Sequence, residues 1–138
     1  PVCVGNYVGP AEREAAMALL RTFGRIAEVT EEEMAIATAL TAVGPTYIFP
    51  VIAALADAAV THGLPPATAL TAACQVVAGA AQLVLESKRS PEGLALLTSL
   101  RTLDEATAKK LFTQAVEDAL GKVLAAEAKL RSSSNKGS

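Results

Sequence analysis

The chain has 138 residues, enough for one domain with a buried core, and 51% of them are hydrophobic while only 4% are aromatic. A formal net charge of −2 and a pI near 5.4 offer no basic field to a phosphate backbone, which excludes nucleic acid as a partner. Mean hydropathy is +0.37, carried by Ala, Leu and Val, and such a composition suits helices packed closely through small side chains.

The first segment, Val2-Cys3-Val4 to Tyr7-Val8, is short, β-branched and bounded by Gly5 and Gly9-Pro10, which predicts a strand. From Ala11 to Phe23 the residues Ala15, Leu19, Thr22 and Phe23 recur at helical spacing, and Gly24 is expected in the left-handed position that ends the helix. Arg25 to Val29 predicts a second short strand. Strand, helix, strand over 1–29 is the edge of a parallel sheet, and two short strands do not make a stable sheet alone. This stretch therefore reads as the remnant of an upstream sheet.

Everything from 30 to 131 predicts helix. Thr30 and Glu33 form a capping box, and the run Glu31-Glu32-Glu33 suits the positive end of a helix dipole better than a metal or acid/base cluster. That helix carries Met34, Ile36, Ala37, Leu40 and Val43 and stops at Gly44-Pro45. The next carries Tyr47, Ile48, Val51, Ile52 and Leu55 to Val60, stops near Gly63, and has Pro50 in or just beyond its first turn. A helix opened by Pro65-Pro66 carries Leu70, Ala73, Cys74, Val77, Ala81, Val84 and Leu85. It is apolar nearly all round and is expected at the centre of the core. Ser90-Pro91 predicts a cap and a short helix over Glu92 to Leu100. Thr102 with Glu105 predicts a second capping box, opening a long helix to Leu130 with ion pairs Glu105/Lys109 and Asp118/Lys122. The tail, 132–138, is polar and aperiodic, as a disordered or vector-derived end would be.

Cys3 and Cys74 form neither a metal-type spacing nor a disulfide framework, and their apolar neighbours suggest buried free thiols in a reducing compartment. No charge occurs between Glu33 and Asp57 or between Asp57 and Glu86, so a membrane has to be weighed. Gly44-Pro45 and His62-Gly63-Leu64-Pro65-Pro66 interrupt the apolar stretches, no aromatic belt or basic cluster flanks them, and a helix buried in a protein assembly is favoured over a membrane. Pro1-Val2-Cys3 lacks the form of a signal peptide, and a cytoplasmic location is expected. A helix that is apolar on all sides needs cover, and a second copy of the chain is the expected partner.

The constellations that carry chemistry are absent from the sequence. The single histidine, His62, sits at a helix end before Gly63, where it suits a cap rather than a catalyst. Asp57, a lone charge in an apolar region, is either a solvent-facing residue or part of a site. Gly5, Gly9 and Pro10 do not spell G-x-G-x-x-G, so no dinucleotide-binding residues and no metal ligands are assigned in this chain, which by itself is not expected to be an active enzyme.

The run Thr38-Ala39-Leu40-Thr41-Ala42-Val43-Gly44-Pro45-Thr46-Tyr47-Ile48-Phe49 resembles the T-A-L-S-G-S-G-P-A-Y-x-F signature of pyrroline-5-carboxylate reductases. Ala54-Leu55-Ala56-Asp57-Ala58, Gly63-Leu64-Pro65, Gln75, Gly79-Ala80-Ala81 and Leu85-Glu86 follow in the family's order, and Ala115-Val116-Glu117 with Ala125-Ala126 is similar to its last helix. The resemblance implies a mainly α, multi-helix bundle like the 6-phosphogluconate dehydrogenase C-terminal-like dimerisation domains, behind a short strand–helix–strand. It further implies an interlocked homodimer, an upstream Rossmann domain that binds NAD(P)H, and reduction of 1-pyrroline-5-carboxylate to proline. The family's S-P-G-G-T-T loop, whose backbone and final Thr hold the substrate carboxylate and imine, is replaced here by Leu100-Arg101-Thr102-Leu103-Asp104-Glu105, and Ala42-Val43 replace the signature's Gly-Ser. No catalytic residue is carried over; Thr41, Gly44, Pro45 and Thr46 remain candidates for a pocket wall. Two functions follow from this pattern: the dimerisation and substrate domain of a reductase-like oxidoreductase with an altered substrate loop, or a non-catalytic, reductase-derived dimerisation or interaction module.

Overall fold

The structure, a computed structural model, describes residues 1–134. Six helices follow in order: α1 Pro10–Arg21, α2 Met34–Thr41, α3 Gly44–Thr61, α4 Pro66–Ser87, α5 Pro91–Ala95 and α6 Glu105–Ser134. The chain divides into two units, Pro1–Pro45 with Phe112–Ser138, and Thr46–Leu111.

In the first unit the expected strand–helix–strand is reduced to its helix. Val2 and Glu28 make one isolated parallel bridge, with the Val2 N–H donating to the Ala27 carbonyl at 2.9 Å and the Val29 N–H to the Val2 carbonyl at 3.0 Å. The physical reason is the one that limits any two short strands: a ladder gains too little from one neighbour to extend. Tyr7 and Val8 leave the bridge for a turn closed by the Val8 N–H on the Gly5 carbonyl, and Tyr7 is fully exposed. Gly24 adopts φ 153° rather than the left-handed helix cap expected of it; α1 ends earlier, at Thr22, whose hydroxyl turns back to the Leu19 carbonyl at 2.7 Å. Buried residues of this unit are Met17 on α1, Ala35 and Ala39 one turn apart on α2, and Ala119 on α6.

The Thr30 capping box forms in both directions: the Thr30 N–H donates to Glu33 Oε2 at 2.9 Å, and the Glu33 N–H to Thr30 Oγ1 at 3.3 Å. It closes the turn from which α2 continues.

In the second unit α3 and α4 meet through small residues. Ala56 of α3 packs with Ala69 and Ala73 of α4, flanked by the half-buried Ile52 and Ala59. Ile52, Ala56 and Ala59 recur at the four- and three-residue steps of one helix face, as Ala69 and Ala73 do on the other. The large side chains of α4 point elsewhere: Leu70, Val76, Leu83 and Leu85 are all more than half exposed, so α4 is a core helix on its alanine face only. A helix apolar all round needs neighbours on several sides, and within this unit its alanine face alone is covered. The stretches Met34–Thr61 and Pro66–Ser87 are long and apolar enough to cross a membrane, with mean hydropathies of 1.7 and 1.6, by length and composition only.

Helix ends follow sequence closely in some places and depart from it in others. After Thr61, the Gly63 N–H donates to the Val60 carbonyl and the Leu64 N–H to the Ala59 carbonyl, the paired bonds of a Schellman end, with Gly63 at φ 97°. Ser90 caps α5 by accepting from the Gly93 N–H at 3.1 Å, although that helix closes at Ala95 rather than Leu100. Pro50 lies in the second turn of α3, just beyond the first turn as expected. Ahead of α5, Lys88 ends α4 in the left-handed conformation at φ 56°, a role the sequence did not mark because glycine usually fills it. The polar tail expected from Ser132 begins inside α6, and its residues 135–138 lie outside the described residues.

At constant protein concentration, Gly63→Ala lowers unfolding stability by about 1 kcal/mol, and Lys88→Gly raises it by up to about 1 kcal/mol, because each moves the cost of a left-handed residue. Thermal unfolding followed by circular dichroism measures both. By the same method Ala69→Leu costs about 1–3 kcal/mol, since the α3–α4 contact leaves no volume for the added carbons.

Candidate functional site

The residues singled out as a pocket wall lie where α2 gives way to α3. α2 closes with Thr41, and the Ala42 N–H still reaches the Thr38 carbonyl at 2.9 Å. Gly44 and Pro45 open α3, the proline at a position where its missing N–H costs little. Thr41, Pro45 and Thr46 are exposed and Gly44 is half-buried. The Thr41 hydroxyl donates to the Ala37 carbonyl at 2.8 Å, so its proton is committed to the helix and its lone pairs are what it can offer a ligand. A Cβ at Gly44 would meet nothing within 4 Å, so packing inside this chain does not demand glycine there. Thr41, Gly44 and Pro45 belong to the first unit and Thr46 to the second.

The stretch 100–105 is organised by its own charges. Arg101 clasps Glu105 through two bonds, Nε to Oε1 at 2.9 Å and an Nη to Oε2 at 2.6 Å. Asp104 caps α6, accepting from the Thr107 N–H at 3.1 Å and from its hydroxyl at 2.6 Å. The cap is thus Asp104 and not the expected Thr102–Glu105 box; a carboxylate at the cap position satisfies the first-turn N–H more strongly than a hydroxyl, and Glu105 is taken by Arg101. The bonds from the Thr107 side chain and backbone hold the Asp104 carboxyl below its ordinary value of 3.8. The pattern Asp104-x-x-Thr107 was the available signal. For the same reason the two expected ion pairs do not occur among the described residues: Glu105 faces Arg101, Lys109 lies 3.8 Å from Glu92, and Asp118 accepts from Gln114 Nε2 at 3.0 Å. A planar guanidinium with two matched bonds outcompetes a lysine ammonium for Glu105.

Elsewhere the titratable groups do not converge. Cys3 is half-buried and Cys74 exposed on α4, so neither is the fully buried thiol expected. Desolvation, a hydrogen bond to Glu31 and the charges of Glu31, Glu32 and Glu28 together raise the Cys3 pKa, which disfavours the thiolate. No group of three or more His, Cys, Asp or Glu side chains suited to a metal occurs among the described residues. His62 follows the end of α3, exposed, with its N–H shared between the Ala58 and Ala59 carbonyls. Asp57 is exposed on α3, and its backbone carbonyl accepts from the Thr61 hydroxyl at 2.9 Å. In the first unit Arg13 grips both carboxylate oxygens of Glu28 at 2.6 Å, beside a cleft of about 450 Å³ that Met17 and Arg21 also line.

The family model described as pyrroline-5-carboxylate reductase dimerisation matches residues 31–134. The chain is 36% identical to a pyrroline-5-carboxylate reductase of Methanosarcina acetivorans, over 83% of this chain and 46% of that one. It is 31% identical to the Escherichia coli enzyme of the same name, over 91% of this chain and 49% of that one. Among solved structures, a Plasmodium falciparum pyrroline carboxylate reductase with NADP bound superposes with a TM-score of 0.77 at 25% identity, covering 88% of this chain and 52% of that one. A pyrroline-5-carboxylate reductase from Coxiella burnetii gives 0.74 at 29% identity, covering 88% and 48%. The chain spans about half the length of the curated relatives it matches.

Asp104→Ala removes the cap of α6. A carboxyl whose folded pKa is depressed stabilises the fold above its unfolded value and loses that effect as the pH falls through the folded one. The variant is therefore expected to melt below the wild type at pH 7, with the gap closing as the pH falls below about 3.9, the ordinary aspartate value. Paired melting curves from pH 7 to pH 2.5 check this.

Proposed function

The chain belongs to the pyrroline-5-carboxylate reductase family, and we propose that it is the dimerisation and substrate domain of a reductase-like, NAD(P)H-dependent oxidoreductase of the cytoplasm. The reading rests on one observation beyond family membership. Large apolar side chains stand open in both units: Leu83, Leu85, Leu97 and Leu111 of the second and Leu130 of the first are each more than half exposed. The largest such patches mark surfaces that a partner covers. A second copy supplies that cover at the scale of obligate homodimers, which bury thousands of Å². We read the two long apolar stretches as this seam rather than as membrane spans, since Gly44-Pro45 interrupts the first and neither is flanked by an aromatic belt or a basic cluster.

The cofactor belongs, on this reading, to a Rossmann domain upstream. The chain's own residues do not fit a dinucleotide: Gly5 and Gly9 lack the spacing of a phosphate cradle, and no step of the chemistry is assigned to this chain through it. What the chain supplies is a wall. Thr41, Gly44, Pro45 and Thr46 border the place where substrate is held, and Thr41 offers lone pairs rather than a proton.

The stretch 100–105 argues for a changed substrate. A glycine-rich loop presents N–H groups to a carboxylate; here the first-turn N–H of Thr107 is already taken by Asp104, and Arg101 is held by Glu105. The groups that could greet a carboxylate are engaged inside the chain, so an altered imine or keto substrate fits better than pyrroline-5-carboxylate. The same engagement favours the second reading, a non-catalytic, reductase-derived homodimerisation module. An open reading frame upstream that encodes G-x-G-x-x-G in a βαβ unit selects the first reading, and its absence the second.

Light scattering at micromolar concentration is expected to give twice the chain mass, and a monomer would overturn the dimer. Purified chain alone is expected not to oxidise NADPH in the presence of pyrroline-5-carboxylate, followed at 340 nm; turnover above the rate without protein would refute that expectation.

A further inference from the structure

We draw no further inference here: the strongest candidate, the arginine-lined cleft between α1 and the Val2–Glu28 bridge, carries nothing because Arg13 is already matched by Glu28 and nothing in the structure shows what covers the cleft's open side along Val8 and Pro10.

Discussion

Alanine-to-alanine contact is the constraint on which the rest depends. In the second unit α3 and α4 meet through Ala56, Ala69 and Ala73, and in the first the buried residues of α2 are Ala35 and Ala39. Small side chains let helix backbones approach closely but bury little apolar area each, and each Å² removed from water contributes only on the order of 25 cal/mol. Among the described residues Met17 is the one large side chain in the buried set, the rest being alanines, while many leucines with Phe23 and Phe49 are more than half exposed. The alanine faces set which helices meet, while the large residues carry the apolar area a partner would remove from water. Fold and association are then two faces of the same helices.

That division explains what was legible in the sequence and what was not. Period and caps are local, so the helices, the Thr30–Glu33 box, the Ser90 cap and the Gly63 end could be read from neighbouring residues. The Schellman end even follows from one glycine in the right register. Errors arose where the outcome depended on competition or on distant surface. Glu105 had two basic candidates and Arg101 won it, which left the cap to Asp104. The N-terminal strands had the right composition but no third strand among the described residues to extend a ladder. α4 was rightly seen as apolar all round; its burial could not be read, because burial belongs to an assembly and periodicity belongs to a helix. Lys88 shows the limit of residue preference, since a left-handed lysine gives no sign in a sequence.

The candidate site was legible as a place more than as chemistry. Thr41, Gly44, Pro45 and Thr46 mark the α2–α3 junction, inside the run that resembles the family signature. Their hydrogen bonding could not be anticipated. The Thr41 hydroxyl is turned into its own helix, a choice that competes with any ligand for the same proton. In the stretch 100–105 the sequence showed a Thr102–Glu105 box in place of the family's glycine-rich loop, but not which partners its carboxylates would take. The outcome was a pairing of Glu105 with Arg101 and a cap on α6 from Asp104, so both carboxylates are engaged inside the chain.

The single bridge at Val2 and Glu28 has a practical side. One parallel contact leaves an outer edge on each side, and exposed edges of β-branched residues are templates on which other chains can add strands. Val2 and Val4, both half-buried, are the β-branched residues of that segment. Glu28 sits within the pairing itself, clasped by Arg13, and a charge fixed at that point is what natural sheets use to discourage addition. The Arg13–Glu28 pair, whose contribution to stability is small as for most exposed pairs, thereby holds a charge where a further strand would have to pair.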